Sequence, residues 1–186
     1  MKNTTRAMMF VAHPDDCIIF GWPFIRKYKH FDWKIIYMTY SLNTERGKEI
    51  ANFWQHYGVP VDFCGVEDHY RDLEAGKIIT FDILEAKQII QGKVQDIDIL
   101  LTHGVDGEYG HPHHKFVHEC LKGLPVNKVF FGANEPDMFI EHQEYSNETH
   151  NLNLVPEHRN VIESFPNRYT GNYNCTKETK NIIDLL

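Results

Sequence analysis

A chain of 186 residues, 24% charged and 42% hydrophobic, has the size and composition of one folded domain, which excludes low complexity and disorder. Lysine and arginine number 19 against 26 aspartates and glutamates, a net charge of −7, which argues against nucleic acid or an anionic membrane as the main partner. A domain of this length buries about 70% of its unfolded surface and needs neither metal nor disulfide to fold.

Residues 1–6 lead into an apolar run too short for a secretion signal, and no stretch approaches the ~20 apolar residues of a membrane helix. The run over 7–12, Ala-Met-Met-Phe-Val-Ala, predicts a strand buried on both faces, as in a parallel sheet. It stops at His13-Pro14-Asp15-Asp16. Residues 17–28 predict a helix that Pro23 must kink or interrupt. A strand is expected over 34–39. A helix follows over 45–57, closed by Gly58 at C′, then a short strand over 61–64. Ile83, Leu84, Ala86, Lys87, Ile90 and Val94 recur at helical spacing, predicting an amphipathic helix over 80–94 with Thr80 as N-cap. The segment 97–102 reads as the next buried strand, followed by a loop to Gly110. A helix runs from about Pro112, well suited to a first helical position, to Gly123. A strand over 128–132 follows. Past Asn134 the pattern weakens, to a strand over 152–155 and a helix over 157–165. The alternation predicts an α/β fold, a Rossmann-like three-layer sandwich with a mostly parallel sheet, in a single domain over 1–186. In such sheets ligands sit beyond the carboxyl ends of the strands.

Two histidine clusters fall at those ends. The first is His13-Pro14-Asp15-Asp16. The second is Tyr109-Gly110-His111-Pro112-His113-His114, with His118 a turn further on. A borderline cation such as zinc takes two or three imidazole or carboxylate ligands and keeps a position open for water. Neither cluster is distinctive alone, but their placement on one sheet edge favours a metal site. Zinc, iron(II) and cobalt(II) all suit such a set. His113 and His118 are expected at the surface, and His103 is either beside the site or of no special role. Aromatics at 13% suit a carbohydrate ligand or core packing equally, and Trp22, Trp33 and Trp54 are expected in the core. Cys17, Cys64, Cys120 and Cys175 are widely spaced with no Cys-x-x-Cys, which predicts reduced thiols and a cytoplasmic protein. No glycine-rich phosphate loop follows any strand.

Ala12-His13-Pro14-Asp15-Asp16 resembles the AHPDD signature of the PIG-L/LmbE-like zinc-dependent N-deacetylases, and Gly110-His111-Pro112-His113-His114 resembles their second signature. Arg46-Gly47-Lys48-Glu49, followed by Gly58-Val59, is similar to the family's Arg-x-x-Glu helix. The resemblance spans about residues 7–132. It implies removal of the N-acetyl group from an N-acetylglucosamine-type amino sugar or its conjugate. It implies His13, Asp16 and His114 as zinc ligands and Asp15 as general base. His111, protonated or as a hydrogen-bond donor, and Tyr109 would serve the oxyanion and leaving group. Arg46 would bind the polar part of the substrate, with an Arg46–Glu49 pair within the helix as the structural alternative. Asp68 would lie near the sugar hydroxyls. The chain departs from the pattern in two places. Cys17 stands where the family has Glu. His113 stands where an Asp supports the preceding histidine, so another carboxylate, Asp106 or Glu108, is expected to take over that support for His111. Other readings are an amidase acting on a different N-acyl group or thiol conjugate, and a metal- or sugar-binding protein without turnover.

Overall fold

The structure, a computed structural model, describes residues 4–68, 70–73, 76–79, 81–134 and 137–142. The expected elements at 152–155 and 157–165, together with Thr80 and Cys175, lie outside the described residues.

The strands are β1 (Arg6–Val11), β2 (Asp32–Thr39), β3 (Val61–Val66), β4 (Tyr70–Leu73), β5 (Gly76–Ile79), β6 (Ile99–Thr102), β7 (Asn127–Asn134) and β8 (Asp137–His142). The helices are α1 (Trp22–Lys27), α2 (Glu45–His56), α3 (Ile83–Lys93), the single turn α4 (Gly107–Gly110) and α5 (Pro112–Leu121). The main sheet has the order β3-β2-β1-β6-β7-β8. All its pairings are parallel except β7–β8. Strands β4 and β5 form a separate antiparallel hairpin.

The continuous apolar run of β1 has a simple origin. Successive side chains point to opposite faces of a sheet. Ala7, Met9 and Val11 join Ile35, Tyr37, Ile50 and Trp54 in one core. Met8, Phe10 and Ala12 join Ile36, Ile90, Val117 and Leu121 in the other. Both faces are covered, so the fold is the expected three-layer α/β sandwich. Trp22, Trp33 and Trp54 are all core residues.

Several local readings hold and several shift. In α2, Thr44 Oγ1 accepts from Gly47 N. The helix closes with Gly58 N donating to Gln55 O and Val59 N to Trp54 O. This pairing needs the left-handed residue that Gly58 supplies at φ 68°. Helix α3 starts later than expected, at Ile83, because Asp82 accepts from Leu84 N and Glu85 N and so provides the cap. The helix expected over 17–28 is two pieces: a π-helical turn, Cys17–Gly21, and then α1 with Pro23 in its first turn, where a missing N–H costs nothing. The hairpin β4–β5, strand β8 and α4 are additions to the expected list.

The chain builds outward from β1 to β2 and β3, then crosses back to place β6 and β7 on the other side of β1. The order therefore reverses between β1 and β6, which opens a crevice at their carboxyl ends. Both histidine clusters start there.

Candidate metal centre

The loop after β1 folds into a closed turn. His13 N donates to Asp16 Oδ2 at 2.7 Å, and the Cys17 thiol donates to Pro14 O at 3.1 Å. Asp16 makes no capping bond to the helical turn that follows. A buried chain supports this turn from beneath. Trp54 Nε1 donates to the Tyr37 hydroxyl at 2.6 Å, and that hydroxyl lies 3.0 Å from Cys17 Sγ. With the indole N–H and the thiol hydrogen committed, the phenol proton points to the sulfur. Burial pushes the Cys17 thiol far above its ordinary value, which keeps it a protonated donor. This is how the turn is held at Cys17.

His13, Asp16 and His114 come together from the two clusters. His13 Nδ1 is 3.2 Å from Asp16 Oδ2. His114 Nε2 is 3.2 Å from Asp16 Oδ1 and 3.3 Å from His13 Nδ1. Donors at about 2.0–2.1 Å from a tetrahedral zinc ion stand about 3.3 Å apart; the three separations match that spacing, the two to Asp16 ending on different carboxylate oxygens. Burial alone would raise Asp16, but His114 and His13 hold it well below the usual carboxylate range.

Glu108 organises the second cluster. Its Oε2 accepts from His114 Nδ1 at 2.6 Å and from His103 Nδ1 at 2.8 Å. Its Oε1 accepts from Gly104 N at 2.8 Å. In the neutral ring the carboxylate thereby keeps the His114 proton on Nδ1 and leaves Nε2 as the lone pair that faces His13 and Asp16, the arrangement typical of metal-binding imidazoles. Glu108 reaches this position through a left-handed backbone, φ 57°, next to Gly107 at φ 62°, a conformation that a residue with a Cβ adopts at a cost of order 1–2 kcal/mol. Burial opposes the charge, but His103 and His114 pull Glu108 down to about 2.

Two sets that share members with this trio, His13–His111–His114 and Asp16–His103–His114, bring one ligand atom each within 4.8 Å of the others. Their third members are engaged elsewhere. His103 Nε2 accepts from Ala12 N at 2.9 Å. His111 Nδ1 accepts from His113 N at 3.2 Å, so the neutral ring carries its proton on Nε2. Burial and the neighbouring His13 and His114 hold His111 far below the usual imidazole value. The ring is therefore a neutral donor, not an imidazolium. The carboxylate expected to support His111 supports His114 and His103 instead.

His113 and His118 are buried, contrary to the expected surface positions. Helix α5 lies along the sheet, so residues 113, 114, 117, 118 and 121 all face inward. His13 Nε2 and His113 Nδ1 are 2.9 Å apart, and His118 Nδ1 lies 3.0 Å from the His103 carbonyl, to which it donates. His103 is fully buried and stacks on His114 with centroids 3.9 Å apart. Phe20 walls these two rings, with centroids 6.3 Å from His103 and 6.1 Å from His114. Asp68 accepts from the Tyr40 hydroxyl at Oδ2, 2.8 Å, and its Oδ1 lies 3.5 Å from His13 Nε2.

Asp15 neighbours this centre. Burial and the Asp16 carboxylate raise it above the ordinary carboxylate value, against the opposing pull of His13 and Arg46. Arg46 is buried, with Nη1 3.9 Å from Glu49 Oε2, so the intrahelical pairing exists in loose form. Tyr109 is in α4, and its side chain lies outside the described residues. Sequence reasoning left His103 undecided between a place beside the site and no special role, and offered Glu108, with Asp106, as support for His111 rather than for His114 and His103. The inward spacing of His113, His114, Val117, His118 and Leu121 was the available signal for α5, whereas nothing local marks Glu108.

A family model described as PIG-L, GlcNAc-PI de-N-acetylase, matches residues 8–124. An uncharacterised protein, L374, of Acanthamoeba polyphaga mimivirus is 22% identical over 184 residues, 89% of this chain and 74% of its own. A deacetylase of teicoplanin biosynthesis, solved as a bog complex, superposes with TM-score 0.60 at 14% identity, over 98% of this chain and 90% of its own. The zinc-inhibited form of teicoplanin deacetylase Orf2 gives 0.57 at 13% identity over 98% and 90%. The A40926 pseudoaglycone deacetylase Dbv21 gives 0.51 at 12% identity over 87% and 79%. These structural likenesses show a shared fold.

Proposed function

Because the chain belongs to the PIG-L (GlcNAc-PI de-N-acetylase) family, we propose that it is a metal-dependent deacetylase that removes the N-acetyl group from an N-acetylglucosamine-type amino sugar or its conjugate. The proposal treats residues 1–186 as one deacetylase domain. The observation that carries it is the convergence of His13 Nδ1, His114 Nε2 and the two carboxylate oxygens of Asp16 at separations of 3.2–3.3 Å, beside a carboxylate raised above its ordinary value, Asp15. The deacetylase activity named for the structural neighbours supports it.

In this reading His13, Asp16 and His114 hold a divalent ion, zinc first, with iron(II) and cobalt(II) equally suited to the donors. Such an ion would polarise the amide carbonyl and lower the pKa of a water toward neutrality. Asp15 is the base that would take a proton from water, and its raised affinity for protons suits it to pass the proton to the departing nitrogen. Nε2–H of His111 donates to the oxyanion, and Tyr109 serves the oxyanion or the leaving group. Donors of this kind are worth about 3–4 kcal/mol in comparable sites. Glu108 keeps the His114 lone pair on Nε2. Arg46 contacts the polar end of the substrate. No helix of the described residues is long and apolar enough to cross a membrane, and the widely spaced cysteines support a cytoplasmic location within the same proposal.

The test couples metal analysis to amine detection over a panel of free N-acetylglucosamine, its oligomers, and nucleotide- and inositol-linked forms. The expected result is one tightly held metal ion and amine release from at least one member, abolished by chelation and restored by zinc. Amine release only from other N-acyl or thiol-conjugate amides overturns the substrate assignment, and bound metal with no turnover of any amide overturns the enzyme.

A further inference from the structure

The geometry points to a second divalent-cation site, built from Nε2 of His13, Oδ1 of Asp68 and Nδ1 of His113. It goes beyond the proposed deacetylase centre while sharing its His13 ring. The three donor atoms all lie within 4.8 Å of one another. His13 Nε2 is 2.9 Å from His113 Nδ1 and 3.5 Å from Asp68 Oδ1, and the Asp68–His113 edge is 3.8 Å. These edges bracket the about 3.3 Å expected of tetrahedral zinc donors. The chemistry is again two imidazoles and a carboxylate, a set suited to zinc, cobalt or copper.

Each donor is held in place independently. His113 is fully buried on the first turn of α5, with its ring against Phe81 at 5.6 Å between centroids. Asp68 is fixed by the Tyr40 hydroxyl on its Oδ2, which directs Oδ1 to the two rings. Its side chain is 23% exposed, so an ion can enter from solvent. The His13 ring then has one nitrogen for each ion. As the second ion binds, the proton on Nε2 leaves to solvent, and the resulting imidazolate bridges the two cations. The competing account is a plain hydrogen bond from His13 to His113 that merely orients the ring.

The full chain, stripped of metal with a chelator, is titrated with Co2+ and followed by visible absorption and electron paramagnetic resonance. Two ions per chain are expected, with magnetic coupling between them through the bridge. Asp68→Asn preserves the contact with Tyr40 and is expected to take one ion with an uncoupled signal, as is His113→Ala. Circular dichroism checks the fold of both variants. Saturation of the unaltered chain at one ion overturns the second site. So does a second ion retained with its coupling in Asp68→Asn. If the single ion disappears in His114→Ala but not in Asp68→Asn, the deacetylase centre stands and the second site alone fails. If the chain takes no ion, both fail.

Discussion

Replacing Glu108 with Gln changes one heavy atom in a carboxylate that accepts three hydrogen bonds, and at least one of them is lost. The carboxylate accepts from His103 Nδ1, His114 Nδ1 and Gly104 N. A carboxamide has one acceptor oxygen. If that oxygen faces the two imidazoles, the amide group opposes the Gly104 N–H; if it turns the other way, both ring protons lose their acceptor. One unsatisfied buried donor costs about 1–3 kcal/mol. The displacement of Glu108 from 4.5 to about 2 gives a similar figure, since each unit is about 1.4 kcal/mol, or ~3 kcal/mol in favour of the charged form. The depressed value makes this stability present above 4.5 and lost as pH falls toward about 2. At neutral pH the metal-free variant should therefore melt roughly 6–12 °C lower, at about 2–4 °C per kcal/mol for a chain of this size. Between about pH 5 and 3 it should show a shallower loss of stability than the unaltered protein. Freed from its fixed proton, His114 should also bind zinc about 10–100-fold more weakly. Scanning calorimetry and competition with a coloured chelator measure both effects. A variant with unaltered melting temperature and zinc affinity would refute the claim that this carboxylate organises the centre.

Asp15→Asn should retain zinc and lose at least ~10² of amine release. Near-normal turnover in the metal-replete variant would remove Asp15 as the base. Tyr37→Phe strands the Trp54 indole N–H in a fully buried position and should lower stability by about 1–3 kcal/mol, read as a shift in denaturant midpoint at constant slope. For His13 and His114, burial opposes the proton, but Asp16 raises both above 6.5 in the metal-free chain. Protons therefore compete with metal, and zinc affinity should already be falling over the range above pH 6.5 as pH is lowered. A chelator-competition profile that is flat over that range would contradict this.

The sheet was legible because strands buried on both faces cannot alternate with polar residues, and runs such as Met8-Met9-Phe10-Val11 have no other comfortable place. The proposed ligand trio was approachable because His13 and Asp16 lie on one turn and His114 near another strand end. What stayed hidden depends on tertiary contact or unusual backbone. The segment of β4 and β5, Tyr70-Arg71-Asp72-Leu73 through Gly76-Lys77-Ile78-Ile79, shows no sustained alternation. Asp82 displaced Thr80 as the cap because both residue types cap well and position alone decides. Glu108 was one of two acids weighed in the loop, and its partner was misassigned because only a left-handed residue beside Gly107 turns the carboxylate toward His114 and His103. His113 and His118 looked exposed as isolated polar residues, whereas the α5 periodicity that includes Val117 and Leu121 faces the sheet.

The π-helical turn Cys17–Gly21 makes this segment intolerant of length change. Each residue of an ordinary helix advances about 100° around its axis. Trimming one residue here would leave an equally greasy sequence, yet swing Phe20 away from the stacked imidazoles it shields and admit solvent to them. Natural variants of this protein should therefore vary the identities along this short stretch far more readily than its count.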